Sequence, residues 1–361
     1  MLSPIDVSKH FLTFNVNVYL DFFLSSSTIL HMVTIRDVAS RASVSIATVS
    51  RILNRKGKYT RETERIVRRA AEELGYVPNQ TAKSLKTGCT GTIAFIIHDY
   101  LLLNYPSLLA SAVEVLRSQK YDIEVKTGIG LEECLELAQT GKFDGLLIAG
   151  IKNEEGALGK LIVQGCHCVF LGDGIEREDA NVVEIDYFQG GYITTQQLIN
   201  LGHENILFVE DNPKLTFTQE IKRGYLFALD ESGIQYKEQL LIPADDLSFE
   251  QKGYRIGRGA KEAAFSAVLA TDDRIAYGVI KGLKDTGHSV PRDITVIGFG
   301  DLSLSAYLDP PLTTVEIPII QMGELGAEIL VNNIKRKDDI VKRVKLKVRF
   351  VPRSTHVKRL T

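Results

Sequence analysis

Several chemistries are missing from this chain of 361 residues. Its four cysteines, Cys89, Cys134, Cys166 and Cys168, form no spaced disulfide framework, so reduced thiols are expected. Cys166-His167-Cys168 falls in an apolar stretch that reads as a strand, which argues against a metal site. No apolar run can span a bilayer: Phe11 to Leu24 is interrupted by Asn15, Asn17 and Asp21, and it is equally poor as a secretion signal. Neither glycine pair, Gly128-Ile129-Gly130 or Gly298-Phe299-Gly300, has the third glycine of a dinucleotide fingerprint, and a phosphate loop is missing. No nucleophile elbow and no His-Glu metal pair occur, and the seven histidines are scattered. These absences exclude a membrane protein and give no support to an enzyme; no cofactor and no metal are expected, and the cytoplasm is the expected compartment.

Net charge is also nearly missing, at −2, but only in sum. Residues 32–91 carry 12 Lys and Arg against five acidic residues, and the remainder is acidic. A compact positive head on a negative body suits a protein that docks one end onto phosphates. We read residues 1–31 as a disordered extension or a mis-assigned start, with Met32 as the biological first residue.

The head, residues 32–78, reads as three helices. Thr34-Ile35-Arg36-Asp37 has the form of a helix start, Thr34 capping and Asp37 near the positive end. After a break at Ser43-Val44, Ser45 caps a second helix from Ile46 to Leu53. There Val49, Ile52 and Leu53 share a core face, leaving Ile46, Ala47, Ser50 and Arg51 on a reading face. Arg51 suits a guanine, Ile46 and Ala47 a thymine methyl, and Thr48, Ser50 and Asn54 phosphates. Thr60 opens a third helix containing Thr63, with Ile66, Val67, Ala70, Ala71 and Leu74 as its buried stripe, ending at Gly75. Residues 79–91 form a polar hinge and linker, too weak to make a core alone.

Residues 33–88 resemble the DNA-binding head and hinge of the lactose/galactose repressor family. The strings that carry this are Thr34 to Ala39, Val44 to Asn54, and Leu74-Gly75-Tyr76-Val77-Pro78-Asn79 with Ala82 and Leu85. The resemblance implies a hinge helix in the minor groove, with Leu85 wedged into the central base step and Asn79, Ala82 and Lys83 beside it. Ser43 departs from the glycine usual in the family's turn, so the turn should accept a costlier backbone or a slightly different geometry.

In the body, residues 92–361, short β-branched runs alternate with amphipathic helical segments, the pattern of doubly wound parallel sheets. Strands are expected at 92–97, 122–126, 145–149, 168–171, 182–186, 206–209, 267–270 and 294–298, and ligands belong in the loops that follow strands. The body resembles the same family through Asn200-Leu201-Gly202-His203, Ala270 to Gly278, Val290 to Phe299, Pro311 to Val315 and Pro352 to Thr355. The implied fold is α/β: an all-α helix-turn-helix head on a two-lobed periplasmic-binding-protein-like core. One lobe is expected from 92–186 with 318–355, the other from 187–317.

Sugar-binding members of the family place an Arg three residues before a Gly-aromatic pair. Here that position is Ile221; an expected Asn is Asp272, and an expected Asp is Gly300, with Asp301 next. The effector candidates by position are Tyr105, Asp173, Phe217, Arg223, Phe249, Asp272 and Asp301. A dimeric repressor of carbohydrate-utilisation genes follows as the expectation, with a double-stranded DNA operator as partner and a sugar or sugar phosphate as effector. The alternative is a carbon-catabolite regulator with a phosphoprotein corepressor.

Overall fold

A computed structural model of the protein describes residues 33–53, 57–76, 89–97, 105–150, 157–163, 165–237, 241–242, 247–262, 265–336 and 340–359. The chain divides into a small N-terminal unit and a large C-terminal one.

In the small unit, α1 (Ile35–Arg41), α2 (Ile46–Leu53) and α3 (Arg61–Glu73) pack around one cluster built on Val38, Ala39, Val49, Ile52, Val67 and Ala70. The Asp37 carboxylate accepts from both the amide and the hydroxyl of Thr34, at 2.7 Å each, which satisfies donors a helix start leaves orphaned. Ser45 accepts from the Thr48 amide at 3.1 Å, and Thr60 from the Thr63 amide at 3.2 Å. Between α1 and α2, Ser43 adopts φ +52°, the left-handed conformation that its missing glycine foreshadows. That backbone costs a non-glycine residue roughly 1–2 kcal/mol. At the end of α3, Gly75 has φ +62°, and the Tyr76 amide turns back to the Ala71 carbonyl at 2.8 Å, closing the helix. One expectation fails: Ile66 is 43% exposed and lies outside the buried stripe, because it sits one residue off the line through Val67, Ala70 and Ala71.

The large unit holds two lobes. The first contains a six-stranded parallel sheet in the order β11-β5-β4-β3-β1-β2, from β1 (Thr92–Ile97), β2 (Asp122–Thr127), β3 (Gly145–Ala149), β4 (Cys168–Leu171), β5 (Val182–Ile185) and β11 (Arg343–Leu346). Both faces are covered, so its inner strands read as unbroken apolar runs. In β1, Ile93, Phe95 and Ile97 face the cluster that includes α4 (Tyr105–Ser118) and α11 (Ile319–Arg336). Ala94 and Ile96 face the one that includes α5 (Leu131–Gln139) and α6 (Ala157–Val163).

The second lobe has a parallel sheet in the order β7-β6-β8-β9, from β6 (Ile206–Val209), β7 (Leu241–Ile242), β8 (Ala267–Ala270) and β9 (Thr295–Ile297). The helices α7 (Tyr187–Asn200) and α8 (Thr216–Glu231) pack as one pair, and α9 (Phe249–Arg258) and α10 (Asp273–Asp285) as another. Glycines let each pair approach: a Cβ on Gly191 would lie 2.0 Å from the Ile221 carbonyl oxygen, and one on Gly278 would lie 2.1 Å from that of Glu250.

Between the lobes, β10 (Thr314–Glu316) and β12 (Arg349–Val351) form an antiparallel ribbon. The chain end departs from the expected first-lobe boundary at 355. The Thr355 carbonyl accepts from Val296, the Thr355 hydroxyl accepts from the Thr313 amide, and Val357 accepts from His203, so the chain end beyond β12 belongs to the second lobe. Cys134 and Cys168 are buried and Cys166 half-buried, none in a disulfide, and no cluster able to hold a metal occurs among the described residues.

Candidate DNA-reading face and effector cleft

The second helix of the small unit divides its residues sharply. Val49 and Ile52 are fully buried, whereas Ile46, Ala47 and Arg51 are exposed and Ser50 is half-buried beside them. Burying one stripe against α1 and α3 therefore pins the opposite stripe outward. The Thr48 hydroxyl lies 2.9 Å from that of Ser45, and the Thr63 hydroxyl 2.8 Å from that of Thr60, so both pairs sit at helix starts. Helix starts suit phosphate oxygens. Arg41 bridges to Glu73 at 2.6 Å, tying α1 to α3, while Arg36, Arg51, Arg61 and Arg65 make no ion pair among the described residues. Asn54 and the hinge candidates Asn79, Ala82, Lys83 and Leu85 lie outside the described residues.

In the large unit, the loops that follow β6, β8 and β9 converge on one cleft of the second lobe, bordered by Tyr187, Ile317 and Ile319 where the chain passes between lobes. Side chains from all three loops line it, and it is partly open to solvent. These loops sit at the carboxyl ends of strands flanking the point where the β6/β8 order reverses, where open α/β sheets place ligands.

Three of the effector candidates line this cleft: Phe217, Phe249 and Asp272. Four do not. Arg223 is exposed on α8, bonded to Glu220 and lying over the Phe188 ring. Asp301 is held by Arg353 at 2.6 Å. Tyr105 begins α4 and packs half-buried against the first lobe's core. Asp173 follows β4 and accepts from the Ile185 amide at 3.3 Å; burial pushes its carboxyl up to about 7.

Residue-by-residue reading missed other lining groups: Asp211 and Asn212 after β6, Thr271 after β8, Arg274 on α10, and the aromatic rings of Tyr187 and Phe299. The rule that ligands sit beyond strand ends pointed to Asp211 and Asn212, but no residue motif marks them.

The lining is largely apolar, and its polar groups are already engaged. Tyr187 stands between Phe217 and Phe299, with ring centroids 5.4 and 6.1 Å away. Asp211 accepts from the Thr218 hydroxyl at 2.5 Å and from that of Thr271 at 3.3 Å. Asp272 caps α10 by accepting from the Arg274 amide at 2.8 Å, and also from the Arg274 guanidinium at 3.1 and 3.2 Å. That guanidinium lies 3.8 Å above the Phe249 ring centroid, held from both sides. Burial raises the carboxyls of Asp211 and Asp272, against the hydroxyl bonds of the first and the arginine of the second. Behind the cleft, Asp273 accepts from Ser305, Thr314 and the Leu302 amide, fastening α10 to the loop after β9 and to β10.

A helix-turn-helix unit joined to a two-lobed α/β core with a cleft at its strand ends defines a DNA-binding transcriptional regulator. The chain belongs to the lacI family of bacterial regulatory proteins: residues 34–79 match that family and residues 195–356 match the periplasmic binding protein-like domain. It is 31% identical over 314 residues to catabolite control protein A of Priestia megaterium, covering 84% of this chain and 93% of that one. Among solved structures, a complex of the transcriptional regulator CelR with cellobiose superposes with a TM-score of 0.65 at 26% identity, over 90% of this chain and 100% of that chain. A lac repressor dimer bound to operator and an anti-inducer shares the fold, with a TM-score of 0.78 at 23% identity over 90% and 99%. Among the described residues, no helix is long and apolar enough to cross a membrane.

Proposed function

We propose that this protein is a cytoplasmic repressor of carbohydrate-utilisation genes that binds a pseudo-palindromic operator as a homodimer and responds to a small ligand in the interlobe cleft. The observation that carries the DNA-reading half is the split of α2, with Ile46, Ala47 and Arg51 exposed above buried Val49 and Ile52. Arg51 offers a bidentate pair to a guanine, and Ile46 and Ala47 offer apolar tips to thymine methyls. Ser45, Thr48, Ser50, Asn54 and Thr63 serve phosphates, and Asn79, Ala82, Lys83 and Leu85 are assigned to a minor-groove hinge whose leucine opens a flexible C-G step at the dyad. Dimer symmetry then matches operator symmetry. Likeness to the CelR complex supports a carbohydrate-type ligand, with Phe217, Phe249 and Asp272 as contacts.

Selection of binding sites from random duplexes tests this reading. Enrichment of a dyad with a thymine in each half-site, and weaker binding as salt rises, is the expected result; enriched sites without a dyad overturn it. The identity with catabolite control protein A favours a second reading, in which a phosphorylated carrier protein acts as corepressor. Operator binding tightened by such a carrier, with no response to any sugar, would select it.

A further inference from the structure

The cleft has an electrical sign. Among the described residues that line it, Arg274 is the sole cation, set against the carboxylates of Asp211 and Asp272. Arg274 is already engaged. Its guanidinium is bonded to Asp272 and stacked on Phe249, so its charge is largely neutralised where it stands, and turning it wholly away from Asp272 would leave that carboxylate buried alone. Neighbouring cations are no freer: Lys222 is paired with Glu210 at 2.8 Å, and Arg353 with Asp301. At the position where sugar-binding relatives are expected to carry an arginine, Ile221 is completely buried in the core. A phosphate entering this space would meet more carboxylate than guanidinium in a poorly hydrated setting, where like charge is costly.

Asp211 and Asp272 sit at the ends of adjacent strands, β6 and β8, and both reach the same cleft beside a wall of Tyr187, Phe217 and Phe299. From this we infer that the effector carries a cationic nitrogen on a body with a flat apolar face, and that phosphorylated sugars are rejected. Asp211 and Asp272 receive the ammonium, and the aromatic wall receives the ring face. Each carboxylate has acceptor positions beyond those its present donors use, and an ammonium offers three donors where a neutral hydroxyl offers one. A charge-assisted bond in a largely apolar cleft is stronger than its neutral counterpart. The inference rests on the cleft being the effector site.

Calorimetric titration of the full chain with three probes tests it: the disaccharide of two β-1,4-linked glucosamine units, cellobiose, and glucose 6-phosphate. The diamine should bind about tenfold or more tighter than cellobiose, and glucose 6-phosphate should give no heat. Replacing both carboxylates, Asp211→Asn with Asp272→Asn, keeps each acceptor oxygen for the threonines and for the helix cap. That variant, checked to be folded by a cooperative thermal transition, should bind the diamine no tighter than it binds cellobiose. Glucose 6-phosphate binding as well as the diamine, no heat with the diamine at millimolar concentration, or a preference that survives the double substitution overturns the inference. Phe217→Ala separates the two levels: diamine binding untouched by it overturns the reading of the cleft itself, and the inference with it.

Discussion

Two isoleucines of α2, six residues apart, should respond in opposite ways to the same substitution. Ile52 is fully buried among Val38, Val49 and Val67, so Ile52→Ala removes three carbons from a packed interior and costs about 2–5 kcal/mol. A unit of about forty residues has at most roughly 2–6 kcal/mol to lose, at about 0.05–0.15 kcal/mol per residue. The substitution therefore takes most or all of the head's stability, and DNA binding should fall on operator and random duplex together. Ile46 is 45% exposed, so Ile46→Ala should change head stability by under about 0.5 kcal/mol and weaken the selected operator while leaving random duplex unaffected. Hydrogen exchange of head peptides reads the first effect, and anisotropy of labelled duplexes the second. Undiminished operator binding by Ile52→Ala, or equal loss of head protection in both variants, would refute this reasoning.

Arg51→Ala should relax selectivity at a single base position and cost about 1–3 kcal/mol of operator affinity, read by repeating the site selection with the variant. Gly278→Ala drives a methyl into the Glu250 carbonyl and should lower the core's unfolding temperature through overpacking, while head exchange rates stay unchanged. Asp173 holds its proton to about 7 because burial disfavours the charged form, so the unfolded chain releases that proton more readily than the folded one. Its contribution is complete below the ordinary 3.8 and disappears as pH rises through about 7. Denaturant titrations should show core stability falling over that window, and Asp173→Asn should flatten the fall.

The head was nearly all legible because its signals are local. Caps at Thr34, Ser45 and Thr60 lie within three residues of what they bond, and the 3.6-residue period sorted Val49 and Ile52 from Ile46 and Ala47. Ile66 was misread because its neighbour Val67 offers an equally apolar side chain one position along, and only the packing of three helices chooses between them. In the core, strands buried on both faces announced themselves as apolar runs, whereas β11 and β12 did not. Arg343–Leu346 and Arg349–Val351 alternate with charged residues at sheet edges, and only their partners β5 and β10 define them as strands. The cleft was least legible for the same reason. Asp211, Thr271 and Phe299 are far apart in sequence and meet only because parallel strands deliver their ends to one place, while Arg223 looked like a ligand contact until its pairing with Glu220 placed it outside.

Three short passages connect the lobes: Asp186 into Tyr187, Glu316 through Ile317 to Ile319, and Leu346 to Arg349. A change of lobe angle can be absorbed by the backbone of those few residues, as in hinged two-lobed proteins. Tyr187 and Ile317 lie on two of these passages and also line the cleft, so a ligand bound there would touch the segments that bend. A ligand can shift the lobe arrangement only by binding one arrangement better than another, and whatever factor it imposes on DNA affinity, DNA must impose on ligand affinity. For couplings of about 1–3 kcal/mol, the two factors should agree within a range of roughly 5 to 150-fold. Titrating the diamine with and without saturating operator, and operator with and without saturating diamine, measures both. A factor different from one, necessarily the same in both titrations, fits one shared equilibrium between lobe arrangements, weakening for an inducer and tightening for a corepressor. A factor of one in both directions would show that the diamine and the DNA are not coupled, which would refute the cleft as the effector site.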